Sequence, residues 1–194
     1  MKTYLINLYN AYSRRTSTVA ELDRNNICHE LFYGFNNNQF KLKPEVKHLS
    51  AGAVGAFVSH YTALLNASNV QDDLVLILED DVKLVESFIP KLQKSLESLP
   101  QNWDIAFLGW FLQFNGGIER DDGIGHWVRV RGSLGMYSYI VKRSSIHKIL
   151  SELYHIRDHV DKQVALAIER NRLSGFWLRE PLVTCKGFES QIEK

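Results

Sequence analysis

Cysteine, proline and methionine are scarce in this chain of 194 residues, which has two, four and two of them. Cys28 and Cys185 stand far apart and neither opens a short ligand spacing, so a zinc site is not expected, while one disulfide between them stays open. Net charge is scarce too. Lys and Arg together exceed Asp and Glu by one, so no global field invites a nucleic acid and none is expected as a partner. No apolar run is long enough to span a bilayer. The opening MKTYLINLYN lacks the apolar length of a signal peptide. These absences make a cytoplasmic protein the expectation. Exposed basic or aromatic residues leave peripheral contact with the inner face of a bacterial membrane open. No repeat, linker or low-complexity tract divides the chain, so one domain over residues 1–194 is expected.

What the sequence does hold is an alternation of apolar runs and helical patterns. TYLINL (3–8) reads as a strand, residues 16–26 as a helix with Val19, Ala20 and Leu22 inward, and ELFYGF (30–35) as a second strand. NNNQFKLKPE (36–45) reads as a polar loop, since the residue before a proline avoids helix. Between residues 50 and 67, Phe57, Tyr61, Leu64 and Leu65 share one helical face. LVLIL (74–78) is continuously apolar, as strands covered on both faces of a parallel sheet are. Val85, Phe88, Ile89, Leu92, Leu96 and Leu99 mark a helix that tolerates Pro90 in its first turn. WDIAFLGWF (103–111), HWVRVRG (126–132), MYSYIVKR (136–143) and FWL (176–178) read as strands. Helices are expected at 144–154, capped by Ser144 or Ser145, and at 160–172. The order predicts an α/β fold with a mostly parallel central sheet flanked by helices.

The strand LVLIL runs directly into Glu79, Asp80 and Asp81. In open α/β sheets, ligands sit outside the carboxyl ends of the strands. Adjacent carboxylates repel each other, and a hard divalent cation such as Mn²⁺ or Mg²⁺ relieves that repulsion while bridging to phosphate. If the segment stays extended, Glu79 and Asp81 point one way and Asp80 the other. The plainer reading is a solvated acidic turn before a helix, where the dipole favours negative charge.

The surrounding motifs resemble glycosyltransferase family 25. INL followed by SRR looks like that family's opening strand and arginine-bearing loop. GAVGAFVSH (52–60) is similar to its Gly-x-x-Gly-x-x-x-Ser-His signature, and LILEDDV (76–82) matches its acidic motif. WDIAFLG, YSYIVKRSSIHKIL and HVD look like its later strand, strand–helix and aspartate motifs. The chain departs at Ala53, where the family usually has Glu, and at Ala56, where it often has Cys.

The resemblance implies a single GT-A-like domain that moves a hexose, most often galactose from UDP-galactose, with inversion. The acceptor would be a lipooligosaccharide or another surface glycan or glycolipid. Asp81 is the expected metal ligand, with Asp80 and Glu79 sharing metal, ribose or sugar contacts. Asn7, Arg14 and Arg15 are expected at the nucleotide, because guanidinium groups suit phosphate oxygens; a solvated basic helix start is the alternative. Ser59 and His60 either contact the donor or are hydrogen-bonded structural residues. Inversion needs a base to take the acceptor hydroxyl proton. Asp161 is the candidate and Asp104 the second choice, with capping and structural roles as their respective alternatives. His126, His155 and His159 show no metal spacing and read as surface residues. Trp110, Phe111 and Phe114 suit either sugar stacking or core packing, and residues 115–125 suit a lid. Two other functions fit the acidic triplet: a metal-dependent phosphotransferase or phosphohydrolase, although no P-loop pattern is present, and a non-catalytic nucleotide-sugar-binding domain.

Overall fold

The computed structural model describes residues 1–36, 46–113, 118–120 and 125–187. In chain order they form β1 (Lys2–Leu8), α1 (Tyr12–Arg24), β2 (Glu30–Gly34), α2 (Ala51–Ala67), β3 (Leu74–Glu79), β4 (Val82–Leu84), α3 (Phe88–Glu97) and β5 (Ile105–Phe107). They continue with β6 (Leu112–Gln113), β7 (Ile118–Arg120), β8 (Trp127–Val130), β9 (Ser133–Leu134), β10 (Ser138–Lys142), α4 (Ile146–Glu152), α5 (Val160–Glu169), β11 (Gly175–Leu178) and β12 (Val183–Cys185).

Eight strands make the central sheet, in the order β2-β1-β3-β10-β5-β11-β8-β7. β1 pairs in parallel with β2 and β3, and β5 with β11. β10 and β8 run against their neighbours, so six of the eight strands share one direction. The sheet is therefore mostly parallel, as its apolar runs predict. Two small ladders, β4 with β12 and β6 with β9, lie outside it.

The period of two along the strands divides the core between the faces. Val75 and Ile77 of β3 pack with Phe57 and Leu64 of α2, Ile149 of α4 and Val164 of α5. Leu76 and Leu78 pack on the opposite side with Leu22 of α1 and Phe88 and Leu92 of α3. All four β3 side chains are fully buried. Each such burial contributes roughly 1.5–3 kcal/mol of transfer free energy, which pins the register of the strand that leads to the acidic triplet.

Several boundaries differ from the sequence expectation, each for a physical reason. α1 begins at Tyr12, not Thr16. Tyr-Ser-Arg-Arg carries no apolar periodicity, and the early start is held instead by tertiary bonds from its arginines. α5 stops at Glu169, short of Arg172, and Asn171 takes a left-handed φ of 56° just beyond it. Ser145 precedes α4 but makes no capping bond; its hydroxyl donates to Asp104 instead. Ser50 does cap α2, accepting from the Ala53 N–H at 3.0 Å. The polar loop expected at 36–45 falls, from residue 37 on, outside the described residues.

Candidate functional site

The side-chain parity that builds the core also sorts the acidic triplet. Glu79, two residues after Ile77, faces α2, and its Oε1 lies 3.0 Å from His60 Nε2. The chain then turns tightly at residues 80–81 into β4 instead of staying extended. This turn carries Asp80 to the α1 side. There Asn7, at the end of β1, donates from Nδ2 to Asp80 Oδ2 at 2.5 Å. Arg14 lies 2.6 Å from Asp80 Oδ1 and 3.0 Å from Asp81 Oδ2, so one guanidinium serves both aspartates. Thr18 donates to the Asp80 backbone carbonyl at 2.6 Å. β12 closes the turn from the other side: the Lys186 N–H donates to the Asp81 carbonyl at 2.7 Å, and Lys186 Nζ donates to Ser17 and Thr18 hydroxyls.

This arrangement leaves too little positive charge for the carboxylates present. Asp81 is pushed up to about 6, first by burial and then by Glu79 and Asp80, with Arg14 only partly opposing. Burial also raises Asp80 despite its bonds to Arg14 and Asn7. Asp81 Oδ1 is buried and has no hydrogen-bond partner. An unpartnered oxygen on a carboxyl raised by burial and like charge is what a bound cation would relieve, so the residues fit a divalent ion at Asp81. Among the described residues, no three carboxylates, imidazoles or thiolates converge on one point. A cation held there would need oxygens from a bound ligand to complete its shell, as phosphate-bound Mg²⁺ commonly does.

The Gly-x-x-Gly-x-x-x-Ser-His stretch now has a structural explanation. A Cβ on Gly55 would come within 2.6 Å of the Phe35 carbonyl oxygen, so glycine lets α2 close on the end of β2. Ser59 completes that joint, accepting from the Phe35 N–H at 2.9 Å and donating to the Gly55 carbonyl at 2.7 Å. His60 follows on the sheet side and is 1% exposed. Its Nδ1 lies 3.0 Å from the Tyr139 hydroxyl. Burial holds Tyr139 well above the usual tyrosine range, so its hydroxyl keeps its proton. Both ring nitrogens thus face protein partners, Tyr139 on one side and Glu79 on the other.

Asp161, in the first turn of α5, accepts at Oδ2 from the Gly135 N–H at 2.9 Å and at Oδ1 from the Lys162 N–H at 2.7 Å. It borders the same cleft as Glu79, together with Ala53, Ala56, Phe111, Tyr137 and His159. The two positions where the chain departs from the family pattern therefore line this cleft. Phe111 is 57% exposed and packs its ring 4.6 Å from that of Tyr137, whereas Trp110 stacks on buried Trp177 and belongs to the core margin. Phe114 and most of the expected lid at 115–125 lie outside the described residues. Asp104 precedes β5 and so sits at the opposite strand end of the sheet from the acidic turn, bonded to Ser145, Lys148 and the Ser174 N–H. Asn7 bonds Asp80, Arg14 bonds Asp80 and Asp81, and Arg15 bonds Asn7, while Ser59 stays at the α2–β2 joint. Sequence reasoning missed Thr18 in α1, Tyr139 in β10 and Lys186 just after β12, because their partners lie far away in sequence.

A model of glycosyltransferase family 25 (LPS biosynthesis protein) matches residues 1–114. Procollagen galactosyltransferase 2 of Homo sapiens is 30% identical over 64 residues, which is 31% of this chain and 10% of that protein; the chain thus spans a small part of that relative's length. Among solved structures, a Drosophila β-1,4-galactosyltransferase 7 mutant in complex with manganese, UDP-Gal and xylobiose aligns with a TM-score of 0.49 at 9% identity, over 96% of this chain and 67% of that one. The galactosyltransferase LgtC with donor and acceptor sugar analogues gives 0.47 at 14% identity, over 91% and 73%. The family match takes in more than half of the chain, including β1, α1, α2 and the whole acidic turn, and on that ground the chain belongs to glycosyltransferase family 25.

Proposed function

We propose that the protein transfers a hexose, galactose in the first instance, from UDP-galactose to a hydroxyl of a glycan or glycolipid acceptor of the lipooligosaccharide kind. The observation that carries this reading is the acidic turn. It combines a half-buried, proton-hungry Asp81 having one buried, unpartnered oxygen with a shared Arg14, at the carboxyl end of a buried strand. The family and its galactosyltransferase relatives support the same reading.

Asp81 would hold a divalent cation through Oδ1. Bound there, Mn²⁺ or Mg²⁺ supplies Lewis-acid stabilisation of the leaving diphosphate. Arg14 keeps Asp80 and Asp81 from repelling each other and fixes the turn. Glu79, aimed by His60, presents its carboxylate to the cleft, where it suits the hydroxyls of the donor sugar. Asp161 faces the same cleft with its orientation set by the Gly135 N–H, and a carboxylate so held retains lone pairs for the acceptor hydroxyl proton. Direct displacement with that proton going to Asp161 inverts the anomeric centre.

The test is incubation with UDP-galactose and a lipooligosaccharide-type acceptor, with Mn²⁺ or with chelator, followed by product mass and anomeric configuration. One added hexose, inverted and dependent on the cation, is expected. Release of phosphate from simple esters without transfer would mean a phosphohydrolase. Nucleotide-sugar binding without turnover under every condition would mean a binding domain.

A further inference from the structure

One line of polar contacts starts inside the core and ends in the cleft. Tyr139 lies on β10 opposite Ile77 of β3, and its ring packs with Ile77 and Phe57 on the α2 side of the sheet. Its hydroxyl meets His60 Nδ1 at 3.0 Å, and His60 Nε2 meets Glu79 Oε1 at 3.0 Å. Tyr139 and His60 are buried, while the Glu79 side chain is 27% exposed and lines the cleft. Three side chains, from β10, α2 and β3, thus connect the middle of the sheet to the cleft wall. A phenylalanine at 139 would fill the same space without a polar atom. Burying a hydroxyl beside an imidazole is unfavourable unless each finds a partner, so packing alone does not account for this pair.

From this geometry we infer that Tyr139 is a positioning residue: its hydroxyl, acting through His60, fixes the Glu79 carboxylate so that one oxygen is bonded inside the protein and the other is presented to the donor sugar. The inference rests on the proposed nucleotide-sugar transfer and deepens it by assigning sugar recognition to a line of bonds of its own. Burial, with the charge of Glu79 adding to it, keeps the proton on the Tyr139 hydroxyl, which can therefore donate. An ionised Glu79 can only accept. A neutral imidazole that accepts at Nδ1 and donates at Nε2 satisfies both neighbours and puts no net charge on a buried ring. Without the hydroxyl, Nδ1 loses the donor that places the ring proton on Nε2, and the bond to Glu79 is no longer held in one geometry. Asp80 and Asp81 are fixed by different partners, Asn7 and Arg14. A change at Tyr139 therefore reaches the sugar-binding carboxylate and spares the residues that face the diphosphate.

Titration calorimetry in Mn²⁺ buffer with uridine diphosphate and with UDP-galactose tests this on the full chain. The wild type is expected to bind both. Tyr139→Phe should weaken UDP-galactose on the order of tenfold and leave uridine diphosphate unchanged, because one hydrogen bond to a charged group is loosened. A role in packing alone would move both affinities together or neither. Nitrogen-15 NMR of the imidazole, with the His60 signals assigned by their loss in His60→Gln, reads the wild type directly and needs no stable Tyr139 variant. A single proton on Nε2 is expected. A Tyr139→Phe protein that binds UDP-galactose as wild type does, or that loses both ligands alike, overturns the positioning role and leaves the transferase reading standing. So does a wild-type His60 that carries its proton on Nδ1, or protons on both nitrogens. A wild type that binds neither probe overturns the nucleotide-sugar reading and this inference with it.

Discussion

Two acidic sites stand at opposite strand ends of one sheet, and burial treats them alike: Asp80 is 5% exposed and Asp104 is 8%. Their protonation moves in opposite directions. Asp80 is raised by burial, and Asp81 beside it rises further. At Asp104 burial alone would raise the carboxyl, but hydrogen bonds from Lys148, Ser174 and Ser145 outweigh it and hold it below the usual carboxylate range. The difference lies in partners. Asp104 is a lone carboxylate with an ammonium at its side and two neutral donors, each within 2.9 Å. The acidic turn sets three carboxylates in succession and gives two of them a single guanidinium. A buried acid whose needs are met is structural; one left short of positive charge is ready for a ligand that brings it.

Two substitutions sharpen or break that contrast. The largest effect is expected from Asp81→Asn, which should lower transfer on the order of 10³-fold in initial-rate assays with saturating Mn²⁺ and donor. Wild-type turnover in this variant would remove Asp81 from the site.

The same variant should be more stable than wild type at neutral pH. Asp81 in the folded chain titrates at about 6 against an ordinary 3.8, which corresponds to about 3 kcal/mol at most. Because the folded value is the higher one, its contribution is complete below about pH 4 and is lost as pH rises through about 6. In chelator, the denaturation free energy of wild type should therefore fall behind that of Asp81→Asn across this window. A gap that stays constant from pH 4 to 7 would show that Asp81 is not held against its charge.

Asp104 should behave with the opposite sign and a smaller magnitude. Asp104→Ala deprives Ser145, Lys148 and the Ser174 N–H of their acceptor and should cost about 2 kcal/mol of stability in denaturant titration. Transfer per folded molecule should stay as in wild type. A selective loss of transfer would return Asp104 to the list of candidate bases.

Much of this contrast was invisible in the sequence. The runs LVLIL and WDIAFLG display their strands openly because buried strands need continuous apolar side chains, and the triplet at the end of the first run marked the site edge. The charge balance was not legible, since it depends on where Arg14, Lys148 and Ser174 arrive in space. The His60 motif was legible as a signature but not as a mechanism, because its partner Tyr139 is 79 residues away on β10. Strands β4 and β12 were missed because three residues carry no readable period, yet their pairing is what bends the acidic segment into a turn.

That pairing has a consequence for how the protein is made. The acidic turn is shaped by residues 183–186, which leave the ribosome roughly a hundred residues after Asp81. At ordinary synthesis rates the interval is on the order of 5–20 s. Through it, the nascent chain holds three neighbouring carboxylates without the backbone clamp that orders them. The turn thus takes its shape only after residue 186 has emerged, and a ribosome stalled before residue 183 would display most of the sheet with the turn unformed.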